Sequence, residues 1–266
     1  MASPSSSPIQ TYAPSPFDAH AANYAASWGQ DPVAAHMRRV VYACAESAFP
    51  AGSRVLDAGC GAGIDAAWLL GRGHRVVAID ASAGMVAAAR ARAPGADVHQ
   101  RPVEEAAALA AEGPFDGALL NFGVLNCVSL PAAAAALAAV LRPGAPLIAV
   151  PMPRFSPSWT LSRLARGQPR EALRRLRSEL DVVVEGAPVR TRYFGLSTLE
   201  SAFSPCFELE RAAALGLLLP PPGTTWPSAR LDRLARLEDR VRHLPVLRGW
   251  GDHLLVLLRR TTAPPG

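Results

Sequence analysis

At 266 residues, half of them apolar and 18% charged, the chain has the length and apolar content for one α/β domain with an appendage, and composition excludes a wholly disordered protein. The formal charge of +5 comes from arginine alone, since lysine is absent; together with the abundant alanine, this bias reads as coding composition more than as selection for an anionic partner. Cys44, Cys60, Cys127 and Cys206 are far apart with no CxxC pair, which argues against a zinc ribbon or a disulfide framework and for a reduced, cytoplasmic setting. No signal peptide and no membrane partner are expected, because no basic leader or bilayer-length apolar run is present.

In chain order, residues 1–16 are Ser/Pro-rich and expected to be a disordered tail. An aromatic-bearing segment follows over 17–28, and Asp31-Pro32 predicts the start of a helix over 33–49. Apolar runs predict strands at 54–56, 75–79, 96–99, 117–121 and 146–150, with helices at 64–71, 83–93 and 130–141 between them. That alternation predicts a Rossmann-like, mostly parallel seven-stranded α/β sheet with helices on both faces. Its ligand belongs beyond the carboxyl ends of the first, second and fourth strands. Past Pro151 the pattern loosens: one or two basic amphipathic helices over 159–180, a hairpin over 182–194 turning at Gly186-Ala187, then a helix at 196–203. A strand at 207–215, a helix at 229–243 and a closing strand at 253–259 complete the chain. The domain reading is a tail at 1–16, a ligand-binding core with an N-terminal lid at 17–150, and substrate-cap segments with the last strands at 151–266. Arginines recur at helical spacing over 163–177 and 230–248, where solvated helix faces explain them adequately and make a nucleic-acid surface the lesser expectation.

The densest information lies in Val55-Leu56-Asp57-Ala58-Gly59-Cys60-Gly61-Ala62-Gly63. A short apolar run ends in an acid and breaks into alternating glycines just before a helix, so bare backbone is offered to a ligand at a helix start. A second apolar run, 75–79, also ends in an acid, Asp80, placed to accept hydrogen bonds from a ribose diol. The match of Gly61-Ala62-Gly63-Ile64-Asp65-Ala66 to G-x-G-x-x-A also admits a nicotinamide or flavin dinucleotide. Against it stand the acid two residues before the first glycine and the placement behind a helix.

The first motif, Ile79-Asp80-Ala81-Ser82 with Met85, Phe115-Asp116-Gly117-Ala118-Leu119-Leu120-Asn121, and Leu141-Arg142-Pro143-Gly144 occur in an order that resembles the class I S-adenosylmethionine-dependent methyltransferases of small-molecule type. The likeness covers about 33–150 and, more loosely, the strands beginning at Phe207 and His253. It departs from the family at Gly144-Ala145, where a second glycine is usual, and at Arg101-Pro102, near which many members carry an acid for the adenine amino group. The resemblance implies an enzyme with S-adenosyl-L-methionine as cofactor. Asp57, Ala58, Gly59, Cys60 and Gly61 would lie at its amino-acid end, Asp80 on the ribose, Ala81 and Met85 on one side of the adenine, and Val103 and Glu104 on the other. Asn121 and Phe122 would border the sulfonium.

Methyl transfer by in-line displacement chiefly requires positioning, and a base only for a protonated acceptor. Tyr24, His36 and Asn121 are the catalytic candidates, while Trp159, Arg192 and Tyr193 are the substrate contacts of an aromatic cap. His253 is a lesser base candidate. No metal is expected, because the histidines lack ligand spacing. Asn121 is followed by Phe122-Gly123-Val124 instead of the proline pair typical of DNA amino-methyltransferases, so the expected acceptor is a small apolar or aromatic molecule. An RNA or protein methyltransferase using the arginine helices, an NAD(P)-dependent reductase and a catalytically silent binding protein remain as alternatives. Composition leaves the oligomeric state open.

Overall fold

The computed structural model describes residues 12, 14–18, 31–184 and 186–262. Most of the tail expected at 1–16 and the candidate Tyr24 lie outside the described residues.

Helix α1 (Pro32–Ala48) starts where Asp31 accepts from the Val33 and Ala34 amides, with Pro32 needing no partner for a missing N–H. Then come β1 (Arg54–Ala58), α2 (Ile64–Gly71), β2 (Arg75–Asp80), α3 (Ala83–Arg92), β3 (Asp97–Gln100), β4 (Gly117–Leu120), α4 (Leu130–Val140) and β5 (Pro146–Ala149). A segment holding α5 (Pro157–Ala165), α6 (Pro169–Ala172) and the hairpin β6 (Glu179–Val184)–β7 (Ala187–Arg192) precedes α7 (Leu196–Phe203). The chain closes with β8 (Phe207–Leu215), α8 (Ser228–Val241) and β9 (His253–Arg260).

The main sheet runs β3-β2-β1-β4-β5-β9-β8, parallel except for β9, which is antiparallel to both neighbours. This is the expected seven-stranded α/β architecture, with strand order reversing between β1 and β4. Alternation along each strand divides the core. Leu56, Val77, Ala118 and Leu147 face α4 and α7, whereas Val55, Val76, Leu119 and Ile148 face α1, α2, α3 and α8.

Two elements differ from the sequence expectation. The stretch 159–180 divides into two short helices at Gly167 (φ +67°) and Pro169, within the one or two expected, but its end, Glu179 and Leu180, already belongs to β6. Residues Val103–Leu109 form a 3-10 helix that apolar periodicity does not announce. No helix among the described residues is long and apolar enough to cross a membrane.

Candidate functional site

At the carboxyl end of β1 the chain turns through Gly59 (φ +78°) and Gly61 (φ +50°). The Gly59 and Cys60 amides both donate to the Ile79 carbonyl, at 2.7 and 2.9 Å, which pins the loop to the tip of β2. A Cβ on Gly59 would sit 2.5 Å from the Val124 side chain, so the close approach of loop and β4 exit demands glycine. Gly63 (φ +75°) has a different reason: its Cβ would meet the Ala89 backbone at 2.8 Å, where α2 packs on α3.

Asp80 ends β2 and spreads its carboxylate across the turn, accepting from the Gly61 amide on Oδ2 and the Ser82 amide on Oδ1, both at 2.9 Å. Each oxygen keeps a second lone pair for a diol. Burial raises its pKa against these two amides. Ser82 caps α3 through the Met85 amide, and its hydroxyl donates to Asp18 at 2.5 Å. Asp18 also receives the Gly84 amide, and Tyr12 donates to Glu105 at 2.7 Å. Residues 12 and 14–18 therefore reach from the Asp80 corner to the 3-10 helix Val103–Leu109.

Deeper in the site stands a charged group that sequence reasoning missed. Asp65, in the first turn of α2, accepts from Arg38 Nε (3.1 Å), the Tyr42 hydroxyl (2.7 Å) and Asn121 Nδ2 (3.0 Å). Tyr42 stacks on Trp68 at 3.9 Å, and the Arg38 guanidinium lies 4.9 Å from the Phe122 ring. Phe122, itself at φ +50°, meets His253 edge-on at 5.3 Å. The sequence signal that could have found this group is the acid immediately after the glycine loop; which of Arg38 and Arg39 turns inward is a property of packing.

Asp57 is fully buried, and its pKa rises well above the ordinary carboxylate range through burial, then through the negative charges of Asp65 and Asp80. Asp57 Oδ2 and Asn121 Oδ1 are buried acceptors without a hydrogen-bond partner. A folded-state pKa above the unfolded one means that stability falls as pH climbs from the ordinary carboxylate range towards the raised value. Asp57→Asn should therefore raise the melting temperature at neutral pH and flatten its decline above about pH 4 in a thermal-melt series. A variant that melts at or below the wild type throughout that range would contradict the assignment.

The structure brings Asp57, Ala58, Gly59, Cys60, Gly61, Asp80, Ala81, Asn121 and Phe122 to the ends of β1, β2 and β4, as the motifs imply. Met85 is buried beside Ala62 with Phe17 against them, and Val103 is in the core below. Glu104 accepts the Ser129 amide at 3.0 Å, so its carboxylate is engaged at the start of α4. His36 falls on another face of α1, where burial and Arg242 lower its pKa and Glu238 opposes them; it is not joined to the Asp65 group. Trp159 is buried in the inserted segment among Arg163, Arg174 and Arg175, with Arg175 also 5.6 Å from the Tyr193 ring. Arg192 turns to Glu179 (3.2 Å) and the Val128 carbonyl, apart from that pair.

Two features lie away from the site. Asp97, His99 and Glu112 converge at β3, with His99 Nε2 3.3 Å from Asp97 and 3.2 Å from Glu112. A depression of about 460 Å³ lined by Ser53, Asp116 and Arg142 lies at the amino ends of the strands.

Residues 55–144 match the family model described as a methyltransferase domain. Over 98 residues the chain is 38% identical to the malonyl-[acyl-carrier protein] O-methyltransferase of Serratia marcescens, covering 35% of this chain and 36% of that protein. A 41-residue stretch, 15% of the chain, is 61% identical to ribosomal RNA small subunit methyltransferase C of Chromohalobacter salexigens and covers 12% of it. The chain thus spans about a third or less of the length of these curated relatives. Among solved structures, an S-adenosylmethionine-dependent methyltransferase from Listeria monocytogenes described as putative superposes with TM-score 0.58 at 17% identity, over 85% of this chain and 97% of the other. The 1,6-didemethyltoxoflavin-N1-methyltransferase of Burkholderia thailandensis gives 0.52 at 20%, over 96% and 94%. Residues 55–144 thus match a methyltransferase domain, and the sheet built around them has the Rossmann-like fold of the solved S-adenosylmethionine-dependent methyltransferases with which the chain superposes.

Proposed function

We propose that the chain binds S-adenosylmethionine at the carboxyl ends of β1, β2 and β4 and methylates a small organic acceptor held beneath the segment between β5 and α7. The observation that carries this reading is the sign of the buried charge. Asp57, Asp65 and Asp80 gather behind the glycine loop, and Arg38 is the cation paired among them. A ligand with an ammonium and a sulfonium relieves that excess, while a pyrophosphate would add to it. The same observation weighs against a dinucleotide reductase.

The residues fit the cofactor part by part. Asp57 Oδ2 and Asn121 Oδ1 are unpaired acceptors suited to an ammonium, and Arg38 is the buried guanidinium suited to a carboxylate. Asp80 keeps lone pairs for the ribose hydroxyls. When bound, S-adenosylmethionine supplies a methyl group already activated by positive sulfur. The chain's own task is then alignment, with Phe122 and His253 closing the end of β4 against water and the glycine loop fixing the donor's position. The acceptor class follows from the apolar surroundings of Phe122 and from the absence of the proline pair after Asn121. The Burkholderia structure, which holds 1,6-didemethyltoxoflavin together with S-adenosylhomocysteine, supports a small-molecule acceptor on this architecture.

Incubation of the chain with methyl-labelled S-adenosylmethionine and a cell extract, followed by separation into metabolite, RNA and protein fractions, tests the acceptor class. The label is expected in the metabolite fraction and extractable into organic solvent. Label confined to RNA or protein would overturn the acceptor assignment.

A further inference from the structure

The segment between β5 and α7 has two properties that methyl transfer does not use. Residues 151–195 hold nine of the 27 arginines against four of the 22 acids, so this stretch carries the whole net +5; the other 18 arginines and 18 acids cancel. It also exposes aliphatic side chains that a folded surface normally covers. Leu161 and Leu164, three apart on α5, are 66% and 48% exposed, and Leu173 and Leu176 are 54% and 47% exposed. Phe155 and Trp250, at 42% and 39%, pair edge-to-face at 5.3 Å and extend the patch to the loop before β9.

These groups form one surface. Arg154 donates through Nε and Nη2 to the Leu176 carbonyl (3.1 and 2.8 Å), Trp159 Nε1 donates to the Glu171 carbonyl (3.2 Å), and Thr160 donates to the Ala172 carbonyl. The guanidiniums of Arg163 and Arg174 lie over the Trp159 ring at 4.2 and 4.7 Å. Arg175, with its side chain almost wholly buried, anchors the arrangement to Asp252 at 2.7 Å. α5 contains no acid, and Glu171 is paired with Arg174.

We propose that this surface docks on a bilayer containing anionic lipid, with the leucines and the Phe155–Trp250 pair entering the headgroup boundary and the arginines meeting the phosphates. Protruding aliphatics on short helices, with the exposed Arg166, Arg170 and Arg177 beside them in the chain, suit a fluid interface that moulds around them. A protein partner's hot spots are instead buried anchors seated in a pocket. The contact is superficial, so the absence of a spanning helix among the described residues is consistent with it; it does depart from the sequence expectation of no membrane partner. Because the segment begins and ends beside β5, where Pro153 bridges Phe194, docking places the carboxyl end of the sheet near the bilayer. An acceptor dissolved in lipid then has a short path to the site. The docking surface stands whether or not methyl transfer is the activity.

Co-sedimentation of the full chain with phosphatidylglycerol/phosphatidylcholine vesicles and with phosphatidylcholine vesicles tests it. The wild type should pellet with the anionic vesicles, release as salt is raised, and ignore the zwitterionic ones. The surface variant Leu161→Ser/Leu164→Ser keeps every charge and should bind at least about tenfold more weakly, at an unchanged melting temperature. Failure of the wild type to pellet, or binding unchanged in the double variant, overturns the proposal. A chain that ignores vesicles but binds a soluble acidic carrier protein overturns it in favour of a protein partner.

Discussion

Asp80→Ala should weaken binding of S-adenosylhomocysteine by about a hundredfold or more, read by calorimetric titration. Two charge-assisted hydrogen bonds to a ribose diol are worth about 1.5–3 kcal/mol each, and every 1.4 kcal/mol is about a factor of ten. The same carboxylate also accepts from the Gly61 and Ser82 amides, so its removal loosens the glycine loop before any ligand arrives. Asp80→Asn keeps one acceptor oxygen and should fall between the wild type and the alanine variant. The effect belongs to binding more than to folding, because burial already disfavours the ionised carboxyl. An alanine variant with wild-type affinity would remove Asp80 from the ribose.

The second large effect is structural. Arg175→Ala should destabilise the chain by about 3–5 kcal/mol, because it leaves the buried Asp252 carboxylate with His253 but without its guanidinium partner, a large part of a typical domain's 5–15 kcal/mol. Burial alone would raise the Asp252 pKa, but the Arg175 guanidinium and His253 override it and hold the carboxyl well below the usual range. With the folded value below the unfolded one, the stabilisation is present above the ordinary carboxylate range and is lost as pH falls through the depressed folded value. Arg175→Met combined with Asp252→Asn removes both charges and should be much milder than Arg175→Ala alone. Chemical denaturation at neutral pH distinguishes these outcomes, and a single variant no less stable than the double one would contradict the pairing.

The frame was legible because the parallel strands are nearly continuous apolar runs, buried on both faces, and because glycine and acidic residues mark their carboxyl ends. The predicted strand at 207–215 is β8 (Phe207–Leu215), and the predicted hairpin turns at Gly186, whose φ of +85° explains the glycine. The inserted segment was harder to divide. Its arginines keep a helical rhythm across Gly167 and Pro169, and periodicity in charge does not register the break between α5 and α6.

The glycine loop was readable from spacing, whereas the Arg38–Asp65–Tyr42–Asn121 group was not. Its members come from α1, α2 and the end of β4, and nothing local separates Arg38 from Arg39. Glu104, which the resemblance assigns to the adenine side, accepts the Ser129 amide through one carboxylate oxygen, a contact that the spacing does not announce. His36 likewise sits a short step along α1 from the site yet faces α8, since two residues advance a helix by more than half a turn.

Calorimetric titration of the wild-type chain with S-adenosylhomocysteine and, separately, with NADH tests most directly whether the buried acids and the glycine loop serve a sulfonium nucleoside. One-to-one binding of the first, with no heat from the second, is the predicted result. Binding of NADH with no response to S-adenosylhomocysteine would contradict it.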